Sequence, residues 1–277
     1  MSATAASAPR MSDLSGETRL IAIIGDPIAQ VKAPAGVTAA MFARGRNAVC
    51  VPIHVTSADV DAFVRGASLA RNLDGIIATV PHKFAAAAHC ATLTDRARFL
   101  GAVNTLRRNR DGTWHGDQFD GAGFVQGLRD AGCVVEGRRA LLAGAGGAGS
   151  AIALALLEAG VPELAIHDGD VARRDALVAR LRERYGAKVS VGSADPRGFS
   201  LVVNATPAGM RADDPLPVDV AGLNSAAFVG DVITRPAVTP LIEAARAKGC
   251  GAQVGAGMFA AVAVLMVDFL LAAEARA

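Results

Sequence analysis

Aromatic residues make up only 4% of this 277-residue chain, with a single tryptophan and a single tyrosine. That scarcity excludes a stacking platform for single-stranded nucleic acid, which needs successive aromatic faces in a basic groove. Charged side chains are also few, at 19%, and nearly balance, to a net charge of +2. So small an excess argues against nucleic acid and against an anionic membrane surface as partners. The four cysteines (Cys50, Cys90, Cys133, Cys250) lie far apart, with no CxxC pair, and read as free thiols in a reducing cytoplasm. None of His54, His82, His89, His115 and His167 falls in a ligand spacing such as HExxH, so no metal site is expected. A GxSxG elbow for acyl transfer is missing as well. The most membrane-like stretch, Met258–Ala273, is short for a bilayer and carries Asp268; it reads as a buried packing helix. Residues 1–18 are rich in Ala and Ser but have no apolar centre, which reads as a frayed tail rather than a signal peptide.

What the chain does have is hydrophobic residues, 52% of the total, and 30 glycines. One stretch organises the rest. Leu141–Ser150 reads LLAGAGGAGS, between an apolar run at 139–143 and an alanine- and leucine-rich helical pattern at 151–159. Within it, Gly144, Gly146 and Gly149 form a GxGxxG. The first glycine permits a tight strand-to-helix turn, the second lets a pyrophosphate approach the backbone, and the third lets helix and strand pack closely. A second apolar strand, 164–167, ends at Asp168, about 24 residues after Gly144, where a ribose-binding acid is expected. This context favours a dinucleotide site, with the pyrophosphate on the helix N-terminus near Gly147.

The remaining pattern alternates. Strands are expected at 20–24, 49–54 and 73–80, with helices at 34–44, 57–70 (capped by Ser57), 84–91 and 95–100. A hairpin follows at 102–116 around Asn109-Arg110-Asp111-Gly112. After a helix at 124–131 come strands at 164–167, 188–191, 201–205 and 228–231, with helices at 171–185 and 239–248. Such alternation implies two α/β domains and parallel pairing through right-handed crossovers. The expected division is 19–120 for substrate, 121–250 for the dinucleotide, and 251–277 as a terminal helix.

Two residues suit proton transfer. Lys83 follows Val80-Pro81-His82 at the end of the third strand, where a solvated surface charge is the plain alternative. Asp120 lies in Gly116–Gly121, where a turn would explain it equally. Taken together they suit alcohol oxidation: a lysine takes the hydroxyl proton while an aspartate orients the ammonium.

At this point the chain resembles the shikimate dehydrogenases and their quinate/shikimate relatives. The likeness rests on Gly25-Asp26-Pro27-Ile28-Ala29, Thr79–Lys83, Gly101–Leu106, Gly144–Gly149, Asn204–Met210 and Gly255–Met258, in order over about residues 20–270. The resemblance implies an N-terminal substrate-binding domain, a C-terminal Rossmann domain, and a last helix packing back on the first. It also implies that Lys83 and Asp120 are the catalytic pair and that Thr79 and Asn104 bind substrate hydroxyls. Gly144, Ala145, Gly146, Gly147, Ala148, Gly149, Asp168, Asn204, Thr206, Pro207, Met210, Gly255 and Met258 are expected on the cofactor side.

The departures from the family pattern bear on substrate. Where the family reads His-Ser-x-Ser-Pro, its serines holding a carboxylate, this chain reads Gln30-Val31-Lys32-Ala33-Pro34. Both hydroxyls are gone, leaving Gln30 and Lys32 as possible compensating groups. Ile77, Ile233 and Val262 stand where the family has asparagine, tyrosine and glutamine. The family's NADP-dependent members carry Asn-Arg-Thr after the second Rossmann strand; Asp168-Gly169-Asp170 here points to NAD, with NADP second. Arg173 and Arg174 read as solvent-facing helix charges. The expectation is an NAD-dependent dehydrogenase for a small cyclic polyol acid or related alcohol, weak on shikimate, in a monomer or homodimer. Two alternatives are a true shikimate or quinate dehydrogenase with a rearranged anchor, and a nucleotide-binding regulatory protein with little turnover.

Overall fold

The computed structural model describes residues 14–211 and 213–272; residues 1–13 of the expected tail lie outside the described residues. Two compact units emerge, residues 1–119 with 263–277, and residues 120–262.

The first unit runs β1 (Arg19–Gly25), α1 (Ala33–Ala43), β2 (Ala48–His54), α2 (Val60–Ala67), β3 (Leu73–Ala78), α3 (Lys83–Ala87), β4 (Cys90–Leu93), α4 (Asp95–Leu100), β5 (Thr105–Arg108) and β6 (Trp114–Asp117). Its sheet has the order β2-β1-β3-β5-β6-β4. β1 pairs in parallel with β2 and β3, whereas β5 is antiparallel to both β3 and β6. The hairpin therefore makes this a mixed sheet. Ile24, Ile76, Leu106 and Trp114 join one buried cluster, contributed by four strands. Local chemistry sets α4: the Thr94 hydroxyl accepts from Ala97 N at its start, and Gly101, at φ 65°, ends it.

Two helices are shorter than the sequence pattern suggests. α2 starts at Val60, so Ser57 is not its cap; Thr56 instead donates to the Asp59 carboxylate at 2.7 Å in the preceding turn. α3 stops at Ala87 because Cys90–Leu93 pairs with β6. That edge strand has no sequence signature of its own.

The second unit runs α5 (Asp120–Asp130), β7 (Arg139–Ala143), α6 (Gly147–Glu158), β8 (Glu163–His167), α7 (Val171–Tyr185), β9 (Val189–Val191), β10 (Leu201–Asn204), β11 (Phe228–Asp231), α8 (Pro240–Ala247), β12 (Gly251–Gln253) and α9 (Gly255–Leu271). All its pairings are parallel, in the order β12-β11-β10-β7-β8-β9. This is the doubly wound arrangement, whose strand order reverses beside β7 and β10. α7 opens on Asp170, whose carboxylate accepts from Arg173 N. The last part of α9 belongs to the first unit, where Arg107 donates to the Phe269 carbonyl at 3.1 Å and Leu270 covers Gly75. Among the described residues no helix is long and apolar enough to cross a membrane.

Candidate active site

The dinucleotide half is built where β7 and β10 end. Gly144 takes φ +107°, and a Cβ there would lie 2.7 Å from the Ala205 carbonyl carbon. A Cβ on Gly149 would lie 2.0 Å from Gly144 O, so helix and strand meet at a distance only glycine allows. Gly146 differs: nothing lies within 4 Å of its Cβ position, and it precedes α6 without a side-chain cap. The first N–H groups of α6, at Gly147 and Ala148, thus face an open approach suited to a pyrophosphate.

Asp168, buried at the end of β8, ties this loop to the next. Its Oδ2 accepts from Ala145 N at 2.6 Å, and its Oδ1 accepts from Asp170 N at 2.8 Å and Arg173 Nη2 at 3.0 Å. Burial alone would raise this carboxyl, but the bonds from Arg173, Ala145 and Asp170 outweigh it and hold the group below the usual carboxylate range. Arg173 is therefore not simply a solvent-facing charge, as its place on α7 suggests; it is paired with the candidate ribose acid. Arg174 pairs with Asp175.

Asn204 and Thr206, expected on the cofactor side, are tied into the loop that follows β10. Asn204 Oδ1 accepts from Thr206 N at 3.0 Å and Thr206 Oγ1 at 2.6 Å, while its amide donates to Ala208 O and Asp231 Oδ1, each at 3.2 Å. Thr206 Oγ1 also accepts from Ala208 N. These side chains shape the turn that Gly144 packs against. Pro207 and Met210 are exposed on it. Asp231, unflagged in the sequence beyond ending a strand, is the centre of this network: it also accepts from Ile233 N at 3.0 Å and Thr239 Oγ1 at 2.7 Å. Burial raises its carboxyl despite those bonds. Gly255 opens α9 where a Cβ would meet Ile233 O at 2.3 Å, a closeness that only glycine allows, and Met258 is buried one turn on.

The candidate substrate half lies at the C-terminal ends of β1 and β3. Thr79 N donates to Ile24 O, and Ala78 N donates to Asn104 O at 2.9 Å, which sets Thr79 beside the segment leading into β5. Asn104 is buried, its Oδ1 accepting from Phe119 N and Thr105 Oγ1, each at 3.1 Å. Lys83, the buried first residue of α3, is anchored through its carbonyl, which accepts from Val103 N. The neighbouring His82 is fully buried, with Nε2 2.7 Å from Val55 O. Gln30 donates its amide to Pro27 O at 2.8 Å, and Lys32 is exposed at the start of α1 without capping it. Ala33 is buried and Ile77 lies in the core of β3. Asp120 is buried as the first residue of α5.

These positions can be set beside known proteins. The family model for the shikimate dehydrogenase substrate-binding domain matches residues 23–106. A shikimate dehydrogenase (NADP(+)) from Rubrobacter xylanophilus is 40% identical over 251 residues, covering 87% of each chain. This chain belongs to the shikimate dehydrogenase family. Among solved structures, the quinate dehydrogenase of Corynebacterium glutamicum in complex with NAD is 30% identical, with a TM-score of 0.82 over 91% of this chain and 93% of that one. Ligand-free 5-ketofructose reductase from a Gluconobacter species is 28% identical, with a TM-score of 0.82 over 93% and 94%. Membership makes the chain a shikimate/quinate dehydrogenase-like oxidoreductase acting on CH–OH with a nicotinamide cofactor. The open approach at Gly146, the α6 N-terminus and the Asp168 carboxylate fit such a dinucleotide.

Proposed function

We propose that this family member is an NAD-preferring dehydrogenase for a small cyclic polyol acid or related alcohol that is less dependent on a carboxylate than shikimate. The single observation that carries this reading is the anchor segment. Val31 and Ala33 replace two hydroxyls, and the amide of Gln30 is committed to Pro27 O. Hydrogen bonds to a charged group contribute about 1.5–3 kcal/mol each. Two losses therefore weaken binding of shikimate by roughly two to four powers of ten. Ile77, Ile233 and Val262, all buried, extend the apolar trend. The Gluconobacter relative is named for a neutral ketose, which is consistent with such a shift.

In oxidation, Lys83 acts as general base towards the substrate hydroxyl, with Asp120 as its partner carboxylate; in reduction the same lysine returns the proton. The nicotinamide, when bound, accepts or supplies the hydride. Thr79 and the Asn104 amide hold neighbouring hydroxyls. The glycine loop binds the pyrophosphate, and Asp168 accepts from the ribose 2′-OH and repels a 2′-phosphate.

A second reading keeps shikimate or quinate as substrate, with the exposed Lys32 pairing with its carboxylate; the Rubrobacter relative favours it. Absorbance at 340 nm distinguishes the two, with shikimate, quinate and a neutral ketose or polyol, each with both cofactors. Lys83→Met should lower turnover by about 10² to 10⁴. Efficient shikimate turnover that collapses in Lys32→Ala would establish the second reading. Dinucleotide binding without Lys83-dependent turnover on any alcohol would leave a regulatory protein.

A further inference from the structure

Asp117 is a buried carboxylate with no part in the chemistry proposed above. It ends β6, three residues before Asp120. Arg96, in the first turn of α4, makes a forked contact with it, Nε donating to Oδ1 and Nη2 to Oδ2, each at 2.7 Å. The Thr94 hydroxyl donates to Oδ1 at 2.6 Å, and Gln118 N donates to the same oxygen at 2.7 Å. A forked guanidinium–carboxylate contact fixes direction as well as distance. The remaining donors stop the buried carboxylate from turning. Arg96 also lies 4.7 Å over the Phe119 ring. One side chain from α4 thus grips the segment 117–119 at both ends.

That segment in turn holds Asn104. Asn104 N donates to Asp117 O at 3.0 Å, and Phe119 N donates to Asn104 Oδ1 at 3.1 Å. Asn104 is therefore tied to Asp117 by its main chain and to Phe119 by its side chain. Because a carboxamide is planar, fixing its oxygen also fixes the direction of its NH₂ group. Displacing the segment by a fraction of an ångström would displace that group with it, and binding groups tolerate only about 0.5 Å of such drift.

We infer that Arg96, Thr94 and Asp117 are positioning residues, which set the Asn104 amide against a substrate hydroxyl. The inference rests on the reading above, in which Asn104 holds such a hydroxyl. The three residues act through Asn104 rather than on the reacting atoms.

The test is Arg96→Met on the full chain, which removes the fork and leaves an apolar chain of similar reach over Phe119. With NAD⁺ or NADP⁺ saturating, the KM of shikimate and of quinate should rise about tenfold or more. The cofactor KM should stay within about twofold and kcat should change less than the substrate KM, because a hydroxyl contact is made before as well as in the transition state. Arg96→Lys keeps the cation and one of the two bonds and should fall between parent and Arg96→Met. Hydrogen exchange supplies a readout independent of turnover: the amides of Asn104 and Phe119 should exchange about tenfold faster in Arg96→Met, with that of Leu142 in β7 unchanged. Parent-like substrate KM or parent-like exchange in a variant folded by melting curve overturns the assignment, as do equal rises in substrate and cofactor KM. If the parent shows no Lys83-dependent turnover, the dehydrogenase reading fails and exchange alone decides: faster exchange at Asn104 and Phe119 supports the positioning, and unchanged exchange overturns it.

Discussion

Asp168→Asn should invert the proposed preference for NAD⁺, because the carboxylate proposed to accept from the ribose 2′-OH also engages Arg173. Asparagine preserves an oxygen for the Ala145 N–H, which Asp168 accepts at 2.6 Å, so the loop between β7 and α6 keeps its tie. What it removes is charge, together with the second oxygen that accepts from Asp170 N and Arg173. A hydrogen bond to a charged group is worth about 1.5–3 kcal/mol and a neutral one about 0.5–1.5, so kcat/KM for NAD⁺ should fall about five- to tenfold. Arg173, now 3.0 Å from Asp168 Oδ1, becomes available to a 2′-phosphate. One charge-assisted bond from it raises kcat/KM for NADP⁺ by about 10- to 100-fold. The ratio of the two efficiencies should therefore move by roughly 50- to 1,000-fold, read at 340 nm with one substrate. pH supplies an independent check. Asp168 is held below the usual carboxylate range and stays ionised at mildly acidic pH, whereas a 2′-phosphate sheds charge below about pH 6. Discrimination against NADP⁺ by the parent should accordingly narrow as pH falls from about 8 to 5.5. An unchanged ratio in the asparagine variant, or NADP⁺ use in it that survives Arg173→Ala, would refute the reasoning.

Three further outcomes are expected. Val31→Ser/Ala33→Ser should raise kcat/KM for shikimate by about 10² or more through KM, as two anchor hydroxyls return; a shift confined to kcat would argue against an anchor role. Gln253 is 2% exposed, and neither side-chain amide atom has a partner among the described residues. Gln253→Met should therefore raise stability by about 1–3 kcal/mol in denaturant melts, and a loss of stability would show that the amide is satisfied. Burial pushes the Cys50 and Cys90 thiols up to about 12, so alkylation at neutral pH should be slow for both until denaturant is added; rapid labelling of folded Cys50 would contradict its packing.

Much of the dinucleotide half was legible because its requirements are local. Gly144 needs a positive φ, Gly149 needs close approach to the residue that opens its own loop, and Asp170 caps the helix that follows it. α7 accordingly spans the expected residues 171–185. The short strands were not legible. Cys90–Leu93 and Gly251–Gln253 are three or four residues long, and partners distant in sequence or across a helix stabilise them. The same is true of side-chain duties. Asn204 and Thr206 sit in a motif that suggests a place beside the cofactor, and nothing in that motif announces the bonds they make within the turn and to Asp231, 27 residues beyond Asn204.

The sequence by itself determined the two α/β units, the glycine loop and the candidate chemical groups, because backbone torsion, capping and hydrophobic alternation act over a few residues. Only the tertiary structure decided that Arg173 pairs with Asp168 and that Asp231 organises the loop after β10. Those are contacts between side chains carried by different strands and helices, and spacing along a chain does not encode where such elements meet.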